Sequence, residues 1–144
     1  MLQDTGKKVM VFGTFDIVHF GHIHLFEKAK EYADELVIIV ARDKNVEKIK
    51  GVAPLHSEEE RKTFLSYIKL VDAVYLGSEE DPYAIIQQIK PDVIALGYDQ
   101  RVFVDQLADA ITDMGLEIQI VRIPEFVTDR FKTSKIKEYL HTLM

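Results

Sequence analysis

The 144-residue chain predicts an α/β fold: one domain over residues 1–144, with an open parallel five-stranded sheet and helices on both faces. Three observations predict it. Short apolar runs alternate with segments of helical spacing. The run Leu36-Val37-Ile38-Ile39-Val40-Ala41 is apolar throughout, as a parallel strand covered on both faces requires. Cap and stop signals separate the segments. The resulting β-α order implies right-handed crossovers, with ligands held beyond the carboxyl ends of the strands where the strand order reverses.

Each element has its own reason. Lys8 to Phe12 is the first strand. Ile23, Phe26, Ala29 and Ala33 recur at helical spacing, so Phe20 to Ala33 is expected to be helical. Glu35 to Ala41 is the second strand. Ser57 and Glu60 form a capping box for a helix running to about Ile68. Val71 to Leu76 is the third strand. Asp81-Pro82 opens a helix to about Ile89, which Pro91 stops. Val93 to Leu96 is the fourth strand. Val102 to Met114 is expected to be helical and closed by Gly115. Leu116 to Ile123 is the fifth strand, and Thr133 opens a last helix through Leu140.

Composition narrows the function. The net charge of −6 disfavours wholesale binding to nucleic acid or anionic lipid. No cysteine is present, which removes disulfides, thiolate metal sites and a cysteine nucleophile. The longest apolar run is too short to span a bilayer, and Met1 to Lys8 lacks the apolar core of a signal peptide. The expectation is a cytoplasmic protein with no nucleic-acid or membrane partner.

The first strand is followed by Gly13-Thr14-Phe15-Asp16 and then by His19-Phe20-Gly21-His22 at the mouth of a helix. Free N–H groups and the positive dipole end favour phosphate there. His19 and His22 share one face of the first turn, and imidazoles donate to phosphate oxygens. Gly21 permits close approach, and Gly13 permits a tight exit from the strand. The glycine spacing of a dinucleotide fingerprint is missing, and so is a P-loop. His24 adds a third histidine, but no carboxylate set with ligand spacing accompanies the three, so no protein-held metal is expected.

Together with Phe131-Lys132-Thr133-Ser134-Lys135-Ile136 near the other end, this motif resembles the paired signatures of the cytidylyltransferase-like nucleotidyltransferases. The resemblance covers nearly the whole chain and implies a Rossmann-like sheet. Ala41-Arg42-Asp43-Lys44, Lys48-Ile49-Lys50-Gly51 and Leu96-Gly97-Tyr98-Asp99-Gln100 are similar to the archaeal FMN adenylyltransferase group. Glycerol-3-phosphate cytidylyltransferases tend to carry Gly-Asp-Asp-Trp at Gly97 to Gln100, and phosphopantetheine adenylyltransferases lack the first histidine.

The resemblance implies that a phosphate of the acceptor attacks the α-phosphate of a nucleoside triphosphate and releases pyrophosphate, with Mg²⁺ or another divalent cation. ATP and FMN are the expected substrates. CTP with glycerol 3-phosphate, or a non-catalytic adenine-nucleotide sensor, are the alternatives. A homodimer is the general expectation for so small a domain.

His19 and His22 are assigned to the triphosphate, with Gly13, Thr14, Phe15, Phe20 and Gly21 around the same anion site. Asp16 either orients a histidine or holds Mg²⁺ through water, or it caps the turn. Thr133 and Ser134 serve the β- and γ-phosphates from a helix N-terminus, a role compatible with an ordinary N-cap at Thr133. Lys44 is the candidate cation on what reads as a loop with Lys48 and Lys50, where solvated lysines are the commoner outcome. Arg61 matches a basic residue of the cytidylyltransferase group. Asp99 is placed to accept from a nucleoside, with an Asx-turn as the plainer reading. Phe103, Phe126 and Phe131 are candidates to stack on a flavin, or simply core.

Overall fold

A computed structural model describes residues 6–100, 104, 106–126 and 133–144. Its elements run β1 (Lys8–Gly13), α1 (Phe20–Ala29), β2 (Glu35–Val40), α2 (Asp43–Lys50), α3 (Glu58–Ser66), β3 (Ala73–Leu76), α4 (Ala84–Ile89), β4 (Val93–Leu96), α5 (Leu107–Asp113), β5 (Gln119–Arg122) and α6 (Thr133–Thr142). All five strands form one parallel sheet in the order β3-β2-β1-β4-β5, so the expected architecture is present.

Side-chain alternation divides the core into two layers. Val9 and Val11 of β1 and Leu36, Ile38 and Val40 of β2 pack with Phe26 and Ala29 of α1 and Leu65 of α3. The intervening Met10, Phe12, Val37 and Ile39 pack on the other face with Ile86 of α4 and Leu107 and Ile111 of α5. The strand order reverses direction at β1, and the helices change face with it, as right-handed crossovers demand. The crevice between the carboxyl ends of β1 and β4 is therefore the switch point.

Several boundaries differ from expectation. α1 stops at Ala29 rather than Ala33: the amide N–H of Lys30 still reaches Phe26, but Glu31 and Tyr32 donate to Lys28 and Ala29 in a tightened last turn. The segment carrying Lys44, Lys48 and Lys50 is the helix α2, not a loop. Val46 is its only buried side chain and Val46 and Ile49 its only apolar residues, so the polar composition of the segment hides the helix. The capping box at Ser57 and Glu60 is present: Glu60 N–H donates to Ser57 Oγ at 3.1 Å and Ser57 N–H to Glu60 Oε1 at 2.9 Å. α4 starts at Ala84, after a turn in which Tyr83 N–H donates to Asp81 Oδ1 at 3.0 Å. Gly115, at φ +72°, follows α5 as expected. Of the helix expected over Val102 to Met114, residues 102, 103 and 105 lie outside the described residues, and helix is present from Leu107. β5 is shorter than Leu116 to Ile123, and α6 begins at Thr133.

Candidate active site

The loop from β1 to α1 is held in an unusual shape. Phe15 is buried at 6 % exposure yet adopts φ 55°, a left-handed conformation costly for a bulky residue, by about 1–3 kcal/mol. Its ring lies over Gly13, where an added Cβ would come within 2.6 Å of it, so only glycine fits. The same ring packs edge-on against His22 at 5.3 Å and against Phe26 at 5.6 Å between centroids. Core packing thus fixes the plane of a histidine at the surface of the crevice.

His19 is the N-cap of α1, and it forms a reciprocal capping box with His22. Gly21 N–H donates to His19 Nδ1 at 3.1 Å, and His19 N–H donates to His22 Nδ1 at 3.2 Å. An Nδ1 that accepts an N–H cannot carry the ring proton, so both neutral rings hold it on Nε2. Both therefore present an Nε2–H donor away from the helix. Their centroids are 4.0 Å apart. Burial pushes His22 down to about 4, with neighbouring His19 adding to it, and burial also lowers His19. Both are neutral near pH 7 before any anion arrives, so they donate as imidazoles rather than imidazolium ions. An added Cβ at Gly21 would come within 2.9 Å of the His19 ring. Phe20, between the two histidines, is 64 % exposed.

The basic residues behave differently. Arg61 is 1 % exposed and spends its donors on the protein. Its Nε donates to His56 O at 3.1 Å, Nη1 to Thr14 O at 2.8 Å and Ala41 O at 2.9 Å, and Nη2 to Asp43 Oδ1 at 2.6 Å. The assignment of Arg61 to catalysis is corrected: a guanidinium committed to three carbonyls and a carboxylate is a positioning group that joins the exits of β1 and β2 to α2 and α3. Lys44 has an 81 % exposed side chain and pairs with Glu79 at 3.8 Å, so it is a solvated cation at the start of α2. Arg42 and Glu58 complete the bracing. Arg42 Nε donates to Glu58 Oε2 at 2.8 Å, and Asp43 N–H donates to Glu58 Oε1 at 2.8 Å.

Asp16 braces the loop as well. It accepts from Leu55 N–H at 2.7 Å and His56 N–H at 2.8 Å. Burial alone would raise its carboxyl, but these two amides and the His56 side chain together hold it below its ordinary value. The histidine beside Asp16 is thus His56, which the motif does not contain. Among the described residues no group of three or more histidines and carboxylates is placed to hold a metal ion, and Asp16 accepts from two backbone amides.

Across the switch point, Asp99 is exposed beyond β4. Gln100, which sequence reasoning passed over, joins the two strands: Gly97 N–H donates to its Oε1 at 2.7 Å, and its Nε2 donates to Phe12 O at 2.9 Å. Arg122 braces the same turn, donating to Gly97 O at 2.8 Å and Gln100 O at 2.9 Å. His24 packs against Phe126 at 5.1 Å. Ser134 is exposed in the first turn of α6; the side chain of Thr133, and Phe103 and Phe131, lie outside what the structure describes. The larger described cavity, about 600 Å³, lies at the opposite end of the sheet beside Asp92, Val93 and Gln119, far from the histidines.

A doubly wound parallel sheet whose switch point carries a helix mouth with two imidazole Nε2–H donors is a Rossmann-like α/β domain. The chain belongs to the cytidylyltransferase-like family, whose family model matches residues 10–139. It is 43% identical over 140 residues to the FAD synthase of Pyrococcus horikoshii, covering 96% of this chain and 95% of that protein. It is 48% identical over 118 residues to the FAD synthase of Ferroglobus placidus, covering 81% and 76%. A solved structure described as the lipopolysaccharide core biosynthesis protein from Thermoplasma volcanium superposes with a TM-score of 0.78 at 40% identity, covering 83% of this chain and 98% of that one.

Proposed function

We propose that this protein is an FMN adenylyltransferase. A phosphate oxygen of FMN attacks the α-phosphorus of ATP in line, a new P–O bond forms, the bond to the β-phosphate oxygen breaks, and FAD and pyrophosphate leave. The observation that carries the transfer chemistry is the reciprocal His19–His22 cap, which aims two Nε2–H donors from one helix mouth. Similarity to FAD synthases over nearly the whole chain carries the choice of ATP and FMN.

Phosphoryl chemistry of this kind needs positioning and charge stabilisation rather than a covalent nucleophile. His22, with its plane fixed by Phe15, donates to the α-phosphate as negative charge develops, and His19 donates beside it. Gly21, whose amide is spent on His19 Nδ1, leaves room for the adjoining phosphate oxygens, while Thr14 and Phe15 shape the turn. Thr133 and Ser134 take the β- and γ-phosphates, and Asp99 accepts from the nucleoside. ATP enters as its complex with Mg²⁺ or another divalent cation. We further propose a cytoplasmic homodimer with no nucleic-acid or membrane partner; among the described residues no helix is long and apolar enough to cross a membrane.

The test is to incubate the purified protein with each of ATP and CTP, paired with each of FMN and glycerol 3-phosphate, and follow pyrophosphate. Release with ATP and FMN, with FAD as co-product, is expected. Release with CTP and glycerol 3-phosphate alone overturns the reading, and nucleotide binding without release favours a sensor.

A further inference from the structure

The connection between α2 and α3 is fastened to the β1–α1 loop through Asp16, and the fastening fixes a third histidine. His56 Nδ1 lies 2.8 Å from Asp16 O and 3.3 Å from Asp16 Oδ1. Both neighbours accept only, so Nδ1 of the neutral ring must carry the proton and the lone pair falls on Nε2. The side chain is 47% exposed, and among the described residues nothing engages Nε2. His19 and His22 have the reverse arrangement, with Nδ1 accepting and Nε2–H outward. One end of the sheet therefore presents two imidazole donors and one imidazole acceptor backed by a carboxylate.

Those two kinds of nitrogen suit different phosphates. A triphosphate bound at the helix mouth needs donors. A phosphate monoester, whose second pKa is about 6, can bring its own proton to an acceptor nitrogen. Imidazole with the monoanion and imidazolium with the dianion are the same one-proton hydrogen bond. Leu55, 73 % exposed and pinned by the same carboxylate, adds apolar surface next to it.

We propose that His56, held by Asp16, is the phosphate contact of the acceptor substrate and orients its attacking oxygen from the α3 side of the β1–α1 loop. This rests on reading the chain as a transferase to a phosphomonoester. His56 takes no part in bond breaking. It fixes where the acceptor phosphate sits while the α1 histidines hold the triphosphate.

The separating variant is His56→Asn. The Asn amide can still donate to Asp16, preserving the fastening, but nothing replaces Nε2. Flavin fluorescence should show FMN affinity falling by roughly 10-fold or more, the size of a lost charge-assisted hydrogen bond. Riboflavin, which lacks the phosphate, should bind wild type and variant equally. The KM for FMN should rise while the KM for ATP, the affinity for a non-hydrolysable ATP analogue and the melting temperature stay put. Unchanged FMN affinity overturns the proposal. So does an equal loss for FMN and riboflavin, or for FMN and the ATP analogue, since either makes His56 a loop brace only. Competition with glycerol 3-phosphate separates the two levels. If wild type takes glycerol 3-phosphate and not FMN, the FMN reading fails while His56 is judged on glycerol 3-phosphate. A wild type that binds neither overturns both.

Discussion

The β1–α1 loop, with the mouth of α1, and the α2–α3 segment meet at one end of the sheet, and both carry basic side chains. They differ in where their hydrogen-bond donors go. In the first, backbone amides occupy Nδ1 of His19 and His22 and leave Nε2–H directed away from the helix. In the second, Arg61 spends its guanidinium on Thr14, Ala41, His56 and Asp43. The lesson is that a basic residue near a phosphate site is judged by its unspent donors. Arg61 has the charge but not the donors, whereas His19 and His22 have the donors without the charge.

The sharpest way to break this comparison is His22→Ala. Removing one preorganised donor should lower turnover by about 10²–10³ while the fold persists. Near-normal turnover, measured as pyrophosphate release, would sink the assignment. Arg61→Ala should act through stability instead. It leaves Asp43 and three carbonyls without their shared donor, at a cost of about 3–5 kcal/mol. Arg61→Lys should recover only part of this, because an ammonium cannot replace the planar fork. Denaturant melts of the two variants read the difference. A well-folded Arg61→Ala protein that had lost only activity would instead return Arg61 to the phosphates.

Acid should expose the buried imidazole. His22 titrates near 4 in the folded protein against an ordinary 6.5, so between those values the unfolded chain holds the extra proton. Stability is full above about 6.5 and falls as pH drops towards 4, by up to about 3 kcal/mol. Asp16, held below its ordinary 3.8, loses its contribution lower still, as pH falls through that range. The melting temperature of His22→Gln should depend less steeply on pH than that of wild type, and parallel curves would refute the sign. The smallest effect is expected at Ser57→Ala. It removes an exposed cap worth about 1 kcal/mol and should leave both substrate KM values unchanged.

Much of the fold was legible because its signals are local. Alternating apolar runs located all five strands, and Ser57 with Glu60 marked a helix start correctly. The helix α2 was not legible: a charged segment with one buried side chain is held by distant partners, notably Arg61 and Glu58. Within the site, the spacing of His19, Gly21 and His22 at a helix mouth could be read directly, because cap geometry is set within one turn. Gln100 and His56 could not be found that way, since their partners Phe12 and Asp16 lie far off in sequence.

By itself, then, the sequence determined the alternation of strands and helices, the glycine beneath Phe15, and the two histidines that open α1. Only the tertiary structure decided that Arg61 braces the site, that Asp16 grips the connection before α3, and which ring nitrogen His56 leaves unused. The physical reason is that residue type sets how many hydrogen bonds a side chain can make, whereas packing across the sheet decides how many remain for a ligand.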